Sequence, residues 1–287
     1  MVSAGVAAAQ ESEAAATKEA TGNVPSMTAA PRNALLEQGF QHLYELNFRD
    51  ARKDFVAYQK LVPEDPMGKS AEAASYLFDE FNEKGVFTSE FFLNDDKFLK
   101  GVPGSPEENR NEDFERVNSE AREAAKARLK IDKRDPRALL VLTMADGMES
   151  DYDALIVRKQ LAAVSLTKQA EAEATTLLQI DPSAKDAYVA LGAGHYIIGC
   201  LPGYKRAFLW MGGVHGDKEQ GMKQEEIAAY QAHYFQPFAK ILLALAYERE
   251  HEPGKARVLL GELSQQFPQN PLFLKELALV NPGPPKP

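Results

Sequence analysis

Along most of the chain, apolar residues recur at steps of three and four. Leu36, Phe40 and Leu43 form one such stripe, and after polar Asn47 a second follows through Ala51, Phe55, Tyr58 and Val62. This spacing puts each set on one face of an α-helix. Nowhere does apolar-polar alternation persist between turn residues, so no sheet is predicted. Two short helices in succession, each burying one stripe, make a hairpin. A lone hairpin leaves apolar surface uncovered, which stacked neighbours bury. The expected architecture is therefore all-α, an array of antiparallel helix hairpins.

Small residues and prolines recur in step with this pattern. In "NALLEQGFQHLYELNFRDARKDFVAYQKLVPEDP", Ala51, Phe55 and Pro63 follow Gly39 by 12, 16 and 24 residues. Gly39 and Ala51 suit a close crossing of the two helices, Phe55 fills the space beyond it, and Pro63 cannot continue the second helix. Ala170 precedes Pro182 by 12 residues, and Gly192 follows ten later with Tyr188 and Leu191 before it. Ala244, Ala256 and Pro268 are again spaced by 12, with Tyr247 between, and Ala124 stands 12 before Pro136 in a weaker copy. The intervals between these prolines are 73, 46 and 86 residues, which calls for insertions between hairpins. Residues 101–112 and 210–221 are rich in Gly and polar residues and read as breaks, with Asp217 a helix N-cap.

These offsets match the tetratricopeptide repeat, a unit of about 34 residues. The chain resembles that superfamily over residues 32–277. The order "DAYVALGAGHY", "GGVHGDKEQG" (Gly213, Gly216, Asp217, Gly221) and "LLALAYE…KARVLLGELSQQFPQNPLF" resembles divergent bacterial envelope-associated members. The resemblance implies an α-solenoid acting as a scaffold or adaptor, with a protein or peptide partner in its concave groove. Carried over, the groove positions are Asn33, Leu36, Phe40, Leu43 and Tyr44, and later Asp186, Val189, Ala193, Tyr196 and Ile197. Members that clamp a carboxylate carry Lys and Asn where this chain has Leu36 and Phe40, so an apolar partner segment is implied instead.

Length sets the domain plan: residues 32–280 form one helical repeat domain. It is flanked by an Ala-rich segment 1–31, too poor in apolar residues to fold, and a Pro-rich tail 281–287, both expected to be disordered. A formal charge of −9 argues against a nucleic-acid partner. No apolar run reaches the roughly 18–20 residues that span a bilayer. Ala7-Ala8-Ala9 before Gln10 looks like the end of a signal peptide, which favours export to the periplasm over the cytoplasm.

Candidate chemistry is sparse. Gly192, Gly194 and Gly199 in "LGAGHYIIGC" miss the spacing of a dinucleotide loop and follow a helix rather than a strand. A single cysteine, Cys200, forms no internal disulfide and reads as buried and inert. No histidine pair has a recognised metal spacing, although His195, His215 and His233 lie in neighbouring elements. The sequence thus points to a non-enzymatic protein without cofactor or metal, binding a partner segment. Two other readings stand beside it: a metal-binding or regulatory component using His195, His215 and His233, and a periplasmic solenoid that binds a lipid or small molecule.

Overall fold

The computed structural model describes residues 29–280. The tail 281–287 and residues 1–28 of the expected disordered segment lie outside the described residues. The first helix, α1, spans Ala29–Tyr44 and pairs with α2, Phe48–Leu61. Next come α3 (Met67–Glu83), two short helices α4 (Ser89–Leu93) and α5 (Asp95–Lys100), and the long α6 (Glu108–Ile131), which packs back on α3. The third hairpin is α7 (Pro136–Tyr152) and α8 (Gln160–Ile180), joined by a π-helical turn, Asp153–Val157. In the fourth, α9 (Ala187–Cys200) packs on α11 (Lys218–Gln231), and α10 (Gly203–Met211) is inserted between them. The last hairpin is α12 (Gln236–Arg249) and α13 (Pro253–Gln266), followed by α14 (Pro271–Val280). No strand occurs among the described residues. The fold is an all-α solenoid of antiparallel helix hairpins with irregular insertions.

One register governs all five hairpins. The second helix of each ends ten residues after a buried small residue: Ala51 before Leu61, Ala121 before Ile131, Ala170 before Ile180, Gly221 before Gln231, and Ala256 before Gln266. A small side chain there lets the helix approach its partner closely. In the first hairpin, a Cβ added to Gly39 would run into the Phe55 ring, so the glycine is required by the aromatic that packs on it.

This register corrects two expectations. Pro136 does not end a repeat; it occupies the first turn of α7, capped by Asp135, whose side chain accepts from the Ala138 N–H. It corresponds to Pro66, which like Pro136 stands five residues past the preceding helix. The small residue of that second hairpin is Ala121, not the half-buried Ala124. The break at 101–112 is also shorter than expected. Glu107 caps α6 through the Asn109 and Arg110 N–H groups, so residues 108–112 are helical. Asp217 does cap α11, accepting from the Gln220 N–H at 2.9 Å.

The superhelix turns far enough for its ends to meet. The Tyr44 hydroxyl donates to the Tyr234 carbonyl at 2.9 Å, and the Asn270 amide donates to the Tyr44 carbonyl at 2.8 Å. Phe40 stacks on Tyr234, with centroids 5.0 Å apart, and Tyr44 meets Phe267 at 5.4 Å. The α4–α5 insertion crosses the concave side and is tied down at its far end. The Ser89 backbone and hydroxyl both donate to Glu276, and Arg249 donates to the Phe92 carbonyl at 2.7 Å. Asn270 is the buried pin of the closure, since its side chain also caps α14 at the Leu272 N–H. Asn270→Ala leaves the Tyr44 carbonyl without this donor and should cost about 1–3 kcal/mol. A urea denaturation midpoint checks this; an unchanged midpoint would show that the end-to-end contact contributes nothing.

Candidate functional site

Closure turns the concave face into a deep cavity of about 690 Å³ that stays open to solvent on one side. The first helix of every hairpin contributes to its wall: Leu43 and Tyr44 from α1, Ala74 and Phe78 from α3, Leu140, Met144 and Met148 from α7, Val189, Ala193 and Ile197 from α9, and Phe238 from α12. The insertion adds Phe91, Phe92 and Phe98. On the open side the lining reaches the surface at Leu161 of α8 and at Tyr204, Lys205 and Phe208 of α10, which form a mouth.

Most polar groups in the wall are already used. The Thr143 hydroxyl donates to the Leu139 carbonyl, and Ser150 and Thr167 both donate to the Ala163 carbonyl. Asp186 accepts from the His233 and Phe235 N–H groups at 3.1 and 2.8 Å, which fixes the turn into α12. Asp151 differs. Its carboxyl lines the cavity with no hydrogen-bond or ion-pair partner among the described residues. Although partly accessible from the cavity, it is desolvated by the apolar wall, which pushes its pKa up to about 7. The site is therefore an apolar chamber with one free, titratable carboxyl inside and one lysine, Lys205, at its mouth.

The residues expected to form a groove separate into three groups. Leu43, Tyr44, Asp186, Val189, Ala193 and Ile197 line the cavity. Leu36, Phe40 and Tyr196 are buried in packing away from it, Phe40 against Tyr234 and Phe235, and Tyr196 with its hydroxyl on Glu250 at 3.1 Å. Asn33 is exposed. Asp151 was legible in principle: Leu140, Met144, Gly147 and Asp151 are spaced by four, three and four, an apolar helical stripe that ends on a carboxylate.

The three histidines have separate surroundings. His195 shares a hydrogen bond with Gln224 at 2.7 Å, His215 lies against Trp210, and His233 stacks on Tyr234 and pairs with Glu37. No group of three His, Cys, Asp or Glu among the described residues is placed to hold a metal ion. Cys200 is partly buried, and burial raises its thiol pKa, which suppresses the thiolate.

The glycines of "LGAGHYIIGC" serve the crossing of α9 and α11. A Cβ at Gly221 would come 2.5 Å from the Tyr196 nitrogen and 2.8 Å from the Gly192 carbonyl. The Asp217 N–H donates to the His195 carbonyl at 3.0 Å, so the start of α11 is hydrogen-bonded directly to the α9 backbone. Gly192 in turn leaves room for Glu225, 2.8 Å from where its Cβ would stand. Glu225 lies four residues after Gly221, as Phe55 lies after Ala51, so a carboxyl occupies the position of a core aromatic. It is fully enclosed, neither oxygen has a well-formed hydrogen bond, and desolvation raises its pKa well above the usual value. The nearby Ala193 N–H offsets only part of that effect.

No protein-family model matches the chain, and no curated protein matches it. Among solved structures, a thermophilic TPR protein from Thermus thermophilus is similar over 87% of this chain and 98% of that chain, with 15% identity and a TM-score of 0.45.

Proposed function

We propose that this protein is a non-enzymatic carrier that holds a lipid-class molecule, an apolar chain with a small polar end, inside its solenoid. One observation carries the reading: the first helices of all five hairpins face one deep, largely apolar cavity of about 690 Å³ that opens to the surface at its mouth. That lies within the range of roughly 300–1,000 Å³ typical of small-molecule sites. The contacts that join Tyr44 to Tyr234 and Asn270 also favour a small guest, because they close the open groove a polypeptide segment would need. Asp151 is the group placed to meet the guest's polar end, through a hydroxyl or amine donor. The stacked-hairpin architecture also supports the broader role of a protein-interaction scaffold, with a partner meeting the outer helix faces.

Gly147 offers a direct test. It lines the cavity, and a Cβ built there meets nothing within 4 Å. Gly147→Trp should fill the chamber without straining the fold, weakening uptake of a long-chain fluorescent fatty alcohol by at least about tenfold. Gly147→Ala should retain uptake and, as a helix-interior glycine replaced, gain about 0.5–1 kcal/mol. Undiminished uptake by a folded Gly147→Trp protein would reject the cavity as the binding site. Native mass spectrometry of the wild-type protein should also show a copurifying apolar ligand.

A further inference from the structure

We propose that the outer face of α10 docks on an anionic lipid bilayer. This helix lies outside the repeat register and buries little: Leu209 packs on Ile198 and Val214, while Tyr204, Phe208, Trp210 and Met211 are 74, 65, 66 and 81% exposed. Leu161, across the cavity mouth, is 77% exposed. Large apolar side chains gathered on one surface mark an interaction site, whereas scattered ones do not.

The surrounding charge identifies the occupant. The whole chain carries −9, yet residues 154–170 and 187–216 contain no Asp or Glu. Lys205 and Arg206 stand on α10 itself, the Lys168 ammonium donates to the Gly212 carbonyl at its end, and Arg158 and Lys159 directly precede Gln160 and Leu161 at the cavity mouth. Nearby acids are engaged or inward: Asp153 faces Lys159, Glu171 lies 3.5 Å from His195, Asp217 is committed to capping α11, and Asp151 lines the cavity. Exposed aromatics interleaved with cations on a short amphipathic helix suit a lipid headgroup region, where rings enter the interface and long basic chains reach phosphates. A second copy is a poor fit, because self-pairing would oppose cation to cation. No helix among the described residues is long and apolar enough to cross a membrane, so the contact is a peripheral one.

Trp210 is the only tryptophan, so its emission reports this face directly and independently of whether the cavity is filled. With the full chain, vesicles containing phosphatidylglycerol should blue-shift Trp210 emission and carry the protein down on sedimentation. Phosphatidylcholine vesicles should do neither, and physiological salt should weaken the interaction. Phe208→Glu should reduce sedimentation by at least about tenfold while leaving the thermal melt unchanged. Lys205→Glu with Arg206→Glu should abolish the preference for anionic vesicles. Absence of the Trp210 shift would overturn the proposal, as would equal binding to both vesicle types. Concentration-dependent self-association removed by Phe208→Glu, without vesicle binding, would assign the face to a second copy and also overturn it.

Discussion

Gly221→Ala is expected to destabilise the protein by at least about 3 kcal/mol, a large effect for one methyl group. The new Cβ would lie 2.5 Å from the Tyr196 nitrogen and 2.8 Å from the Gly192 carbonyl. Both are backbone atoms of α9, so no side-chain rotation relieves the clash. Overpacking of a tight core typically costs about 1–3 kcal/mol, and here the relief requires separating two helices. That separation would also stretch the hydrogen bond from the Asp217 N–H to the His195 carbonyl, 3.0 Å long. Gly261→Ala is the matched control. It too is a helical glycine, but a Cβ there meets nothing within 4 Å, so a gain of about 0.5–1 kcal/mol is expected. Urea denaturation of the two variants should move the midpoint in opposite directions. Parallel shifts would show that the α9–α11 crossing is looser than its geometry indicates.

This crossing shows what the sequence made legible. Hairpins with a proline twelve residues after the small residue stood out: Ala51 with Pro63, Ala170 with Pro182, Ala256 with Pro268. The other two hairpins obey the same register with Lys133 and His233 in place of proline, so the pattern hid there although the helix still ended on time. A helix stops where its buried face runs out, and proline is one way to enforce that, not the only one. The fourth hairpin was further obscured by α10, which separates Gly192 from Gly221 by 29 residues where Gly39 and Ala51 are 12 apart.

The site was less legible than the fold, for a topological reason. Spacing along one helix shows which residues share a face, but not whether that face meets open solvent or the far end of the same solenoid. Phe40 and Tyr44 belong to one stripe, yet Phe40 is consumed by the closing contact with Tyr234 while Tyr44 reaches the chamber. The lining from Phe91, Phe92 and Phe98 comes from an insertion with no repeat signal at all. Closure depends on contacts between residues separated by up to 226 positions, such as the Asn270 amide and the Tyr44 carbonyl, which no local pattern connects.

Stability should peak near pH 5 and fall steeply toward pH 8, and Asp151→Asn should remove a large share of that fall. Two sets of carboxyls act in opposite senses. Asp65, paired with Arg137, and Asp135, paired with Arg128, are held below the usual range by their partners, even though burial opposes this. Their folded pKa values are depressed, so their contribution is lost only as acid protonates them, below about pH 4. Asp151, Glu248 and Glu173 are raised by desolvation to about 7, about 7 and about 8, and Glu225 lies well above its usual value. For these the folded state binds a proton that the unfolded chain has already released above about pH 4. Stability therefore declines with rising pH until each folded group ionises, and is flat above that point. For Asp151 the full decline is of the order of 4 kcal/mol, less whatever relief water in the chamber provides. Chemical denaturation at pH 5, 6.5 and 8 should show a much shallower slope for Asp151→Asn than for wild type. If the two decline in parallel, Asp151 is not the desolvated group its position implies. A bound amine-headed amphiphile should also flatten the wild-type slope, because it supplies the charge partner that Asp151 lacks.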